Sequence, residues 1–110
     1  VVRVFHDALL ARQAWRDAVM SRSNGRCVVT GARAEVCHHV VTQQVCRRKG
    51  IPVWDSANGI ALTRRVHDRH HSRLEPIALD LLPPYVLEFV AEHGLETYLE
   101  RTYPTTDADD

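Results

Sequence analysis

The chain has 110 residues, 45% of them apolar and 25% charged, with fourteen Lys and Arg balanced by fourteen Asp and Glu. That length supports one compact domain and no second one, and the composition excludes collagen-like, coiled-coil and wholly disordered classes. The apolar runs fall far short of the roughly 20 residues that cross a bilayer, the N-terminus lacks a signal-peptide core, and a soluble, cytoplasmic protein is expected. The chain starts at Val1 rather than Met, as expected of a processed protein or of a module cut from a longer one.

From Val4 to Met20, the apolar residues Val4, Ala8, Ala11, Trp15 and Ala18 recur at steps of four and three, with polar residues between them. This spacing predicts an amphipathic helix, stopped by Ser23-Asn24-Gly25. Two β-prone runs follow, Arg26 to Thr30 and Val36 to Val41, and together they predict a hairpin. Thr42 to Lys49 is a short helix ended by Gly50, and Pro52 keeps the following segment extended. Turn residues 55–59 lead into a strand at Ile60-Ala61-Leu62, and Thr63 caps a helix over 64–72. Pro83-Pro84 opens a helix that Gly94 closes, and Leu95 to Thr102 forms the last one. One domain over 1–103 is expected, with 104–110 an acidic, disordered tail. The class is α+β.

Three cysteines, Cys27, Cys37 and Cys46, form no C-x-x-C pair, so a reducing compartment is expected and a disulfide framework is not. The histidines are more informative. Five of the seven lie between positions 38 and 71. His67 and His71 are one helical turn apart and project from the same face, a ready two-ligand platform to which a neighbouring strand could add one more. His38 and His39 are adjacent at a strand end, where successive side chains point to opposite faces, and Asn58 sits in the turn between strand and helix.

Three segments carry a resemblance: Cys37-His38-His39-Val40-Val41, Trp54 to Leu62 around Asn58, and Thr63-Arg64-Arg65-Val66-His67-Asp68-Arg69-His70-His71. Together they resemble the HNH endonuclease family, over about residues 25–72. The resemblance implies a ββα-metal (His-Me finger) core, here flanked by helices at both ends. It further implies His39 as general base, His38 and His67 as metal ligands, and Asn58 as the residue that holds the loop orienting His39. The third ligand is His71, as in the three-histidine bacteriocin nucleases, with His70 as its competitor. The implied activity is metal-dependent DNA hydrolysis by a one-metal mechanism, leaving 5′-phosphate and 3′-hydroxyl ends. One divalent ion is expected, Mg, Mn, Ni or Zn. Many family members also carry a Cys₄ zinc; here the corresponding places read Cys27-Val28-Val29-Thr30 and Thr63-Arg64-Arg65-Val66, so no such zinc is expected. Trp15, Val19, Leu87, Val90, Tyr98 and Leu99 on the flanking helices are expected to bury in its stead, and Trp54 to join the core.

Arg47, Arg48, Lys49, Arg64, Arg65 and Arg69, with Arg73, flank the histidines and suit contacts to duplex phosphates. The zero net charge argues against nucleic acid only until the charges are located. Residues 1–73 hold 13 Lys and Arg against 5 Asp and Glu, a balance of +8, and residues 74–110 hold Arg101 alone against 9 acids, a balance of −8. The basic part contains the whole histidine constellation and is the end expected to meet DNA. Two alternatives share the ligands: a non-catalytic, metal-stabilised DNA-binding or packaging module, and a nuclease toxin effector domain of phage or bacterial type whose acidic third mimics an inhibitor.

Overall fold

The computed structural model describes residues 2–105, with side chains from residue 6 onward; the side chain of Val4 and tail residues 106–110 lie outside that set. In chain order the elements are α1 (Val2–Arg22), β1 (Val36–His38), α2 (Gln43–Lys49), β2 (Ile60–Leu62), α3 (Arg64–His71), α4 (Pro84–Glu92) and α5 (Glu96–Thr102). The result is a small α+β protein with five α-helices and a two-stranded antiparallel sheet among the described residues.

Local signals account for most helix ends. Thr42 and Thr63 turn their hydroxyls onto the amides of Val45 and Val66, both at 3.2 Å, each satisfying one donor that a helix start leaves unpaired. Asn24 and Gly25 both take left-handed conformations, and the Gly25 amide reaches back to the Met20 carbonyl at 2.9 Å to close α1.

The expected 26–41 hairpin does not form. Gly31, with φ of 78°, reverses the chain early, so residue 26 bridges to residue 33 and the loop closes on itself through Cys27 N–H to the Ala32 carbonyl at 2.7 Å. β1 pairs instead with β2, in the register Val36↔Leu62, Cys37↔Ala61 and His38↔Ile60. The 26–30 segment turns Cys27 into the larger core and sets its Val28 amide on the Ala61 carbonyl at 3.0 Å, so it bonds β2 as β1 does. Alternation along the strands then sorts the side chains. Val36, Ile60 and Leu62 pack into the larger core with α3 to α5, and Cys37 and Ala61 pack against Trp15 and Val19 of α1.

Among the described side chains, the C-terminal half of α1 is the part that is seated. Ala8, Leu9 and Leu10 are exposed, whereas Trp15 and Val19 are buried over the sheet. The Trp15 indole N–H donates to the Asp55 carbonyl at 3.1 Å, tying the helix to the turn ahead of β2. The approach is close enough to demand glycine at 59, where a Cβ would lie 2.5 Å from Val19 Cγ2 and 2.8 Å from Trp15 Cζ2. Gly59→Ala should therefore destabilise by about 1–3 kcal/mol through overpacking; urea unfolding indistinguishable from wild type would mean that α1 is not seated there.

Of the residues expected to bury on the added helices, Trp15, Val19, Val90 and Leu99 do so and Tyr98 is half-buried, but Leu87 is 41% exposed. The buried stripe of α4 is Val86, Phe89 and Val90, and Leu87 lies about 100° around the helix from Val86. Trp54 is half-buried and packs against the smaller core cluster, edge-on to Trp15 at 5.8 Å. Cys27 and Cys46 belong to the larger cluster and Cys37 packs against the smaller one, so the three thiols do not converge. Within the expected tail, the Pro104 carbonyl accepts the Leu79 amide at 2.8 Å, which fastens the end of α5 to the body.

Candidate metal centre

The β1–β2 pair and α3 bring three imidazoles together. His38, at the end of β1, faces α3, and His67 and His71 lie one turn apart on that helix. One ring nitrogen from each of the three lies within 4.8 Å of the others. Ring centroids are 5.5 Å apart for His38 and His67, 5.7 Å for His38 and His71, and 4.6 Å for His67 and His71. Burial falls from His38 through His67 to the exposed His71, so the group opens to solvent on one side. Imidazoles bind Zn²⁺ at about 2.1 Å in a tetrahedron, which sets nitrogens roughly 3.4 Å apart. Closing the set onto an ion therefore takes about 1 Å of movement, for which the exposed His71 has room. Three neutral nitrogen donors suit Zn²⁺, Ni²⁺, Co²⁺ or Mn²⁺ better than hard Mg²⁺.

The second nitrogens decide which histidines can ligate. His67 Nδ1 faces the Asp68 carboxylate at 3.2 Å, which leaves Nε2 for an ion. His70, the competitor to His71, is buried and stacked on Tyr103 at 4.8 Å, and its Nδ1 accepts the Ile77 amide at 2.9 Å. With that lone pair used, the neutral ring carries its proton on Nε2 and has no free pair to offer. His70 is thus a bracket between α3 and the 76–78 segment.

His39 follows the end of β1 and turns to the opposite face. It stacks on Trp15 at 4.0 Å and 9°, meets the edge of Trp54, and holds the Val53 carbonyl at 2.9 Å through Nε2. A carbonyl only accepts, so Nε2 carries the proton and Nδ1 keeps its lone pair. Burial lowers the pKa of His39, assisted by the nearby Arg47 cation and opposed by the Val53 bond. Asn58 is fully buried and bonds both main-chain groups of Val41: its Oδ1 accepts the amide at 2.7 Å and its Nδ2 donates to the carbonyl at 2.9 Å. That clasp sits two residues past His39.

His38, His39 and His71 line one cleft of about 260 Å³ together with Arg73, Tyr98, Thr102 and Tyr103. No aspartate or glutamate among the described residues lines it. Of the basic residues picked from sequence, only Arg73 reaches this cleft, in the left-handed position just past the end of α3, with φ of 66° and its amide on the His70 carbonyl at 3.1 Å. Arg47, Arg48 and Lys49 are exposed on α2, and Arg64 is exposed at the start of α3. Arg65 and Arg69 border a separate groove beside Thr30, and Arg69 is already paired with Glu75 at 2.7 Å. The acidic C-terminal helices stand beside the site: α5 forms a wall of the cleft through Tyr98 and Thr102, while Glu96 and Glu100 are exposed away from it.

Sequence reasoning missed Tyr103 and the Val53 carbonyl. The first lies 65 positions from its histidine partner and the second is a backbone group, and neither leaves a mark in the chain. Comparison with protein families, with curated proteins and with solved structures finds no match for this chain. Among the described residues no helix is long and apolar enough to cross a membrane.

Burial, then the neighbouring His70, His67, His71 and His39, push His38 down to about 3. In the unfolded chain it titrates near 6.5, so between these values only the unfolded state binds the proton. Its contribution to stability is complete above pH 6.5 and is lost as pH falls toward 3. For metal-free protein this amounts to about 2 kcal/mol at pH 5 from His38 alone, with His39 and His70 shifted the same way. Urea unfolding at pH 7.5 and 5.0 should show that loss; equal stabilities would mean that His38 is not buried neutral.

Proposed function

We propose that this chain is a metal-dependent DNA endonuclease of the HNH type, with β1, β2 and α3 as its ββα-metal core. The observation that carries the proposal is that His38 and His71 of a three-imidazole cluster share one cleft with a singly committed His39, with no acid among the described residues that line it. A divalent ion held by His38, His67 and His71 supplies Lewis-acid stabilisation of the charge that develops on phosphorus and on the departing 3′ oxygen.

The remaining steps belong to side chains. His39 Nδ1 takes a proton from water as that water's oxygen bonds to phosphorus, and its depressed pKa keeps it unprotonated at neutral pH. The Val53 bond and the Trp15 face fix the ring during the transfer. Arg73 binds a nonbridging phosphate oxygen. The bond from phosphorus to the 3′ oxygen breaks, the leaving oxygen is protonated from solvent, and the ends are 5′-phosphate and 3′-hydroxyl. Arg47, Arg48, Lys49, Arg64 and Arg65 contact flanking duplex phosphates, whereas Arg69 contributes less because Glu75 already neutralises it.

Purified protein should nick plasmid DNA with Mn²⁺, Ni²⁺, Zn²⁺ or Mg²⁺, and silence across all four removes the nuclease assignment. His71→Ala should weaken metal binding in calorimetry at least tenfold. Chelation separates this enzyme from a metal-stapled packaging module. The two apolar clusters close without the three ligands, so chelator should stop cleavage and leave the protein folded, and unfolding on chelation would favour the module.

A further inference from the structure

We infer that Tyr103 is a positioning residue for the metal centre, fixing His38 in the tautomer that carries its proton on Nε2 and leaving Nδ1 as the ligating nitrogen. The inference rests on the metal centre proposed above and adds a part that the 25–72 segment does not contain.

Tyr103 follows α5 and is 1% exposed. Its hydroxyl lies 2.8 Å from His38 Nε2 and donates to the Val40 carbonyl at 3.3 Å. A phenol has one proton. The carbonyl can only accept, so a relay that satisfies all three groups runs from His38 Nε2–H to the Tyr103 oxygen, and from the Tyr103 proton to Val40. The opposite assignment, with Tyr103 donating to Nε2, would leave the Val40 carbonyl without that donor. In the relay the lone pair of His38 is on Nδ1, and the ring is held before any ion arrives. Asp68 does the same for His67 from the other nitrogen, at Nδ1. Second partners of this kind orient ligands, and their loss typically costs 10- to 100-fold in metal affinity. The Tyr103 ring also stacks on His70, which itself holds the Ile77 amide, so the phenol is braced on the His38 side of α3. The acidic C-terminal segment therefore completes the centre rather than merely covering it.

The test joins nitrogen-15 NMR of the imidazoles in metal-free protein above pH 7 with calorimetry of Zn²⁺ and Ni²⁺ binding, in wild type and Tyr103→Phe. Wild-type His38 should show the proton on Nε2. The variant should lose that fixed tautomer and bind both ions 10- to 100-fold more weakly. Wild-type His38 protonated on Nδ1 overturns the inference without any variant, so a poorly folding Phe form would not shelter it. A variant with unchanged tautomer and unchanged affinity overturns the role of Tyr103 alone. Wild-type protein that binds neither ion removes the metal centre itself, and the role of Tyr103 with it.

Discussion

His39→Ala is expected to lower plasmid cleavage by about 10²- to 10⁴-fold, the usual worth of a positioned general base, while Zn²⁺ or Ni²⁺ binding stays within a few fold of wild type. The separation follows from geometry. His39 lies on the α1 face against Trp15 and Trp54, and the three ligands lie on the α3 face, so removing the first leaves the donor set of the second intact. Losing a half-buried ring from the Trp15 stack also costs some stability, and thermal unfolding of the variant should accompany the assay. Added imidazole, small enough to enter the vacated space over Trp15, should restore part of the rate with a pH dependence set by the added base. A His39→Ala protein that cleaves at the wild-type rate ends the general-base role.

Asn58→Ala carries the largest expected effect on stability. It strands the amide of Val41 and leaves its carbonyl only the weak Cys46 thiol donor at 3.7 Å, in a fully buried position. An orphaned buried polar group costs about 1–3 kcal/mol, and with the weakened carbonyl the loss should come to about 2–4 kcal/mol. For a domain of this size that is a fall in Tm of about 8 °C or more, at roughly 4–8 °C per kcal/mol. Asn58→Asp keeps the acceptor for the Val41 amide but sets a carboxylate against the Val41 carbonyl, and should be at least as damaging. Cleavage by any folded Asn58 variant should fall as well, because the clasp sits two residues from His39. An alanine variant within 0.5 kcal/mol of wild type by urea unfolding would show that the clasp does not hold the loop.

The two substitutions act at different distances from what the chain spells out. The helix ends were legible because their causes are local: Thr63 caps three residues ahead, and Gly50 and Gly94 stop their helices by taking left-handed conformations that other residues reach at a cost. The i, i+4 placement of His67 and His71 was legible for the same reason. The expected hairpin failed because strand pairing is a long-range choice. Nothing within residues 26–41 shows that residues 60–62 offer a better apolar partner than residues 26–30.

Side-chain roles followed the same division. His70 and His71 are neighbours of one type on one helix, and only the Ile77 amide, brought back by the turn after α3, uses the lone pair of His70. The seven basic residues singled out from sequence looked equivalent as a cluster, yet Glu75 engages Arg69 and the fold turns Arg65 to another groove, while Arg73 stands at the cleft.

The sequence by itself determined the α+β class, the helix caps, the histidine pair on one helix face and the split of charge into a basic and an acidic part, since each depends on spacing or composition within a few turns of chain. Only the tertiary structure decided the pairing of β1 with β2, the stacking of His39 on Trp15, and the arrival of Tyr103 beside His38. Those depend on which distant apolar surfaces bury together, and burial energy has no address in the local sequence.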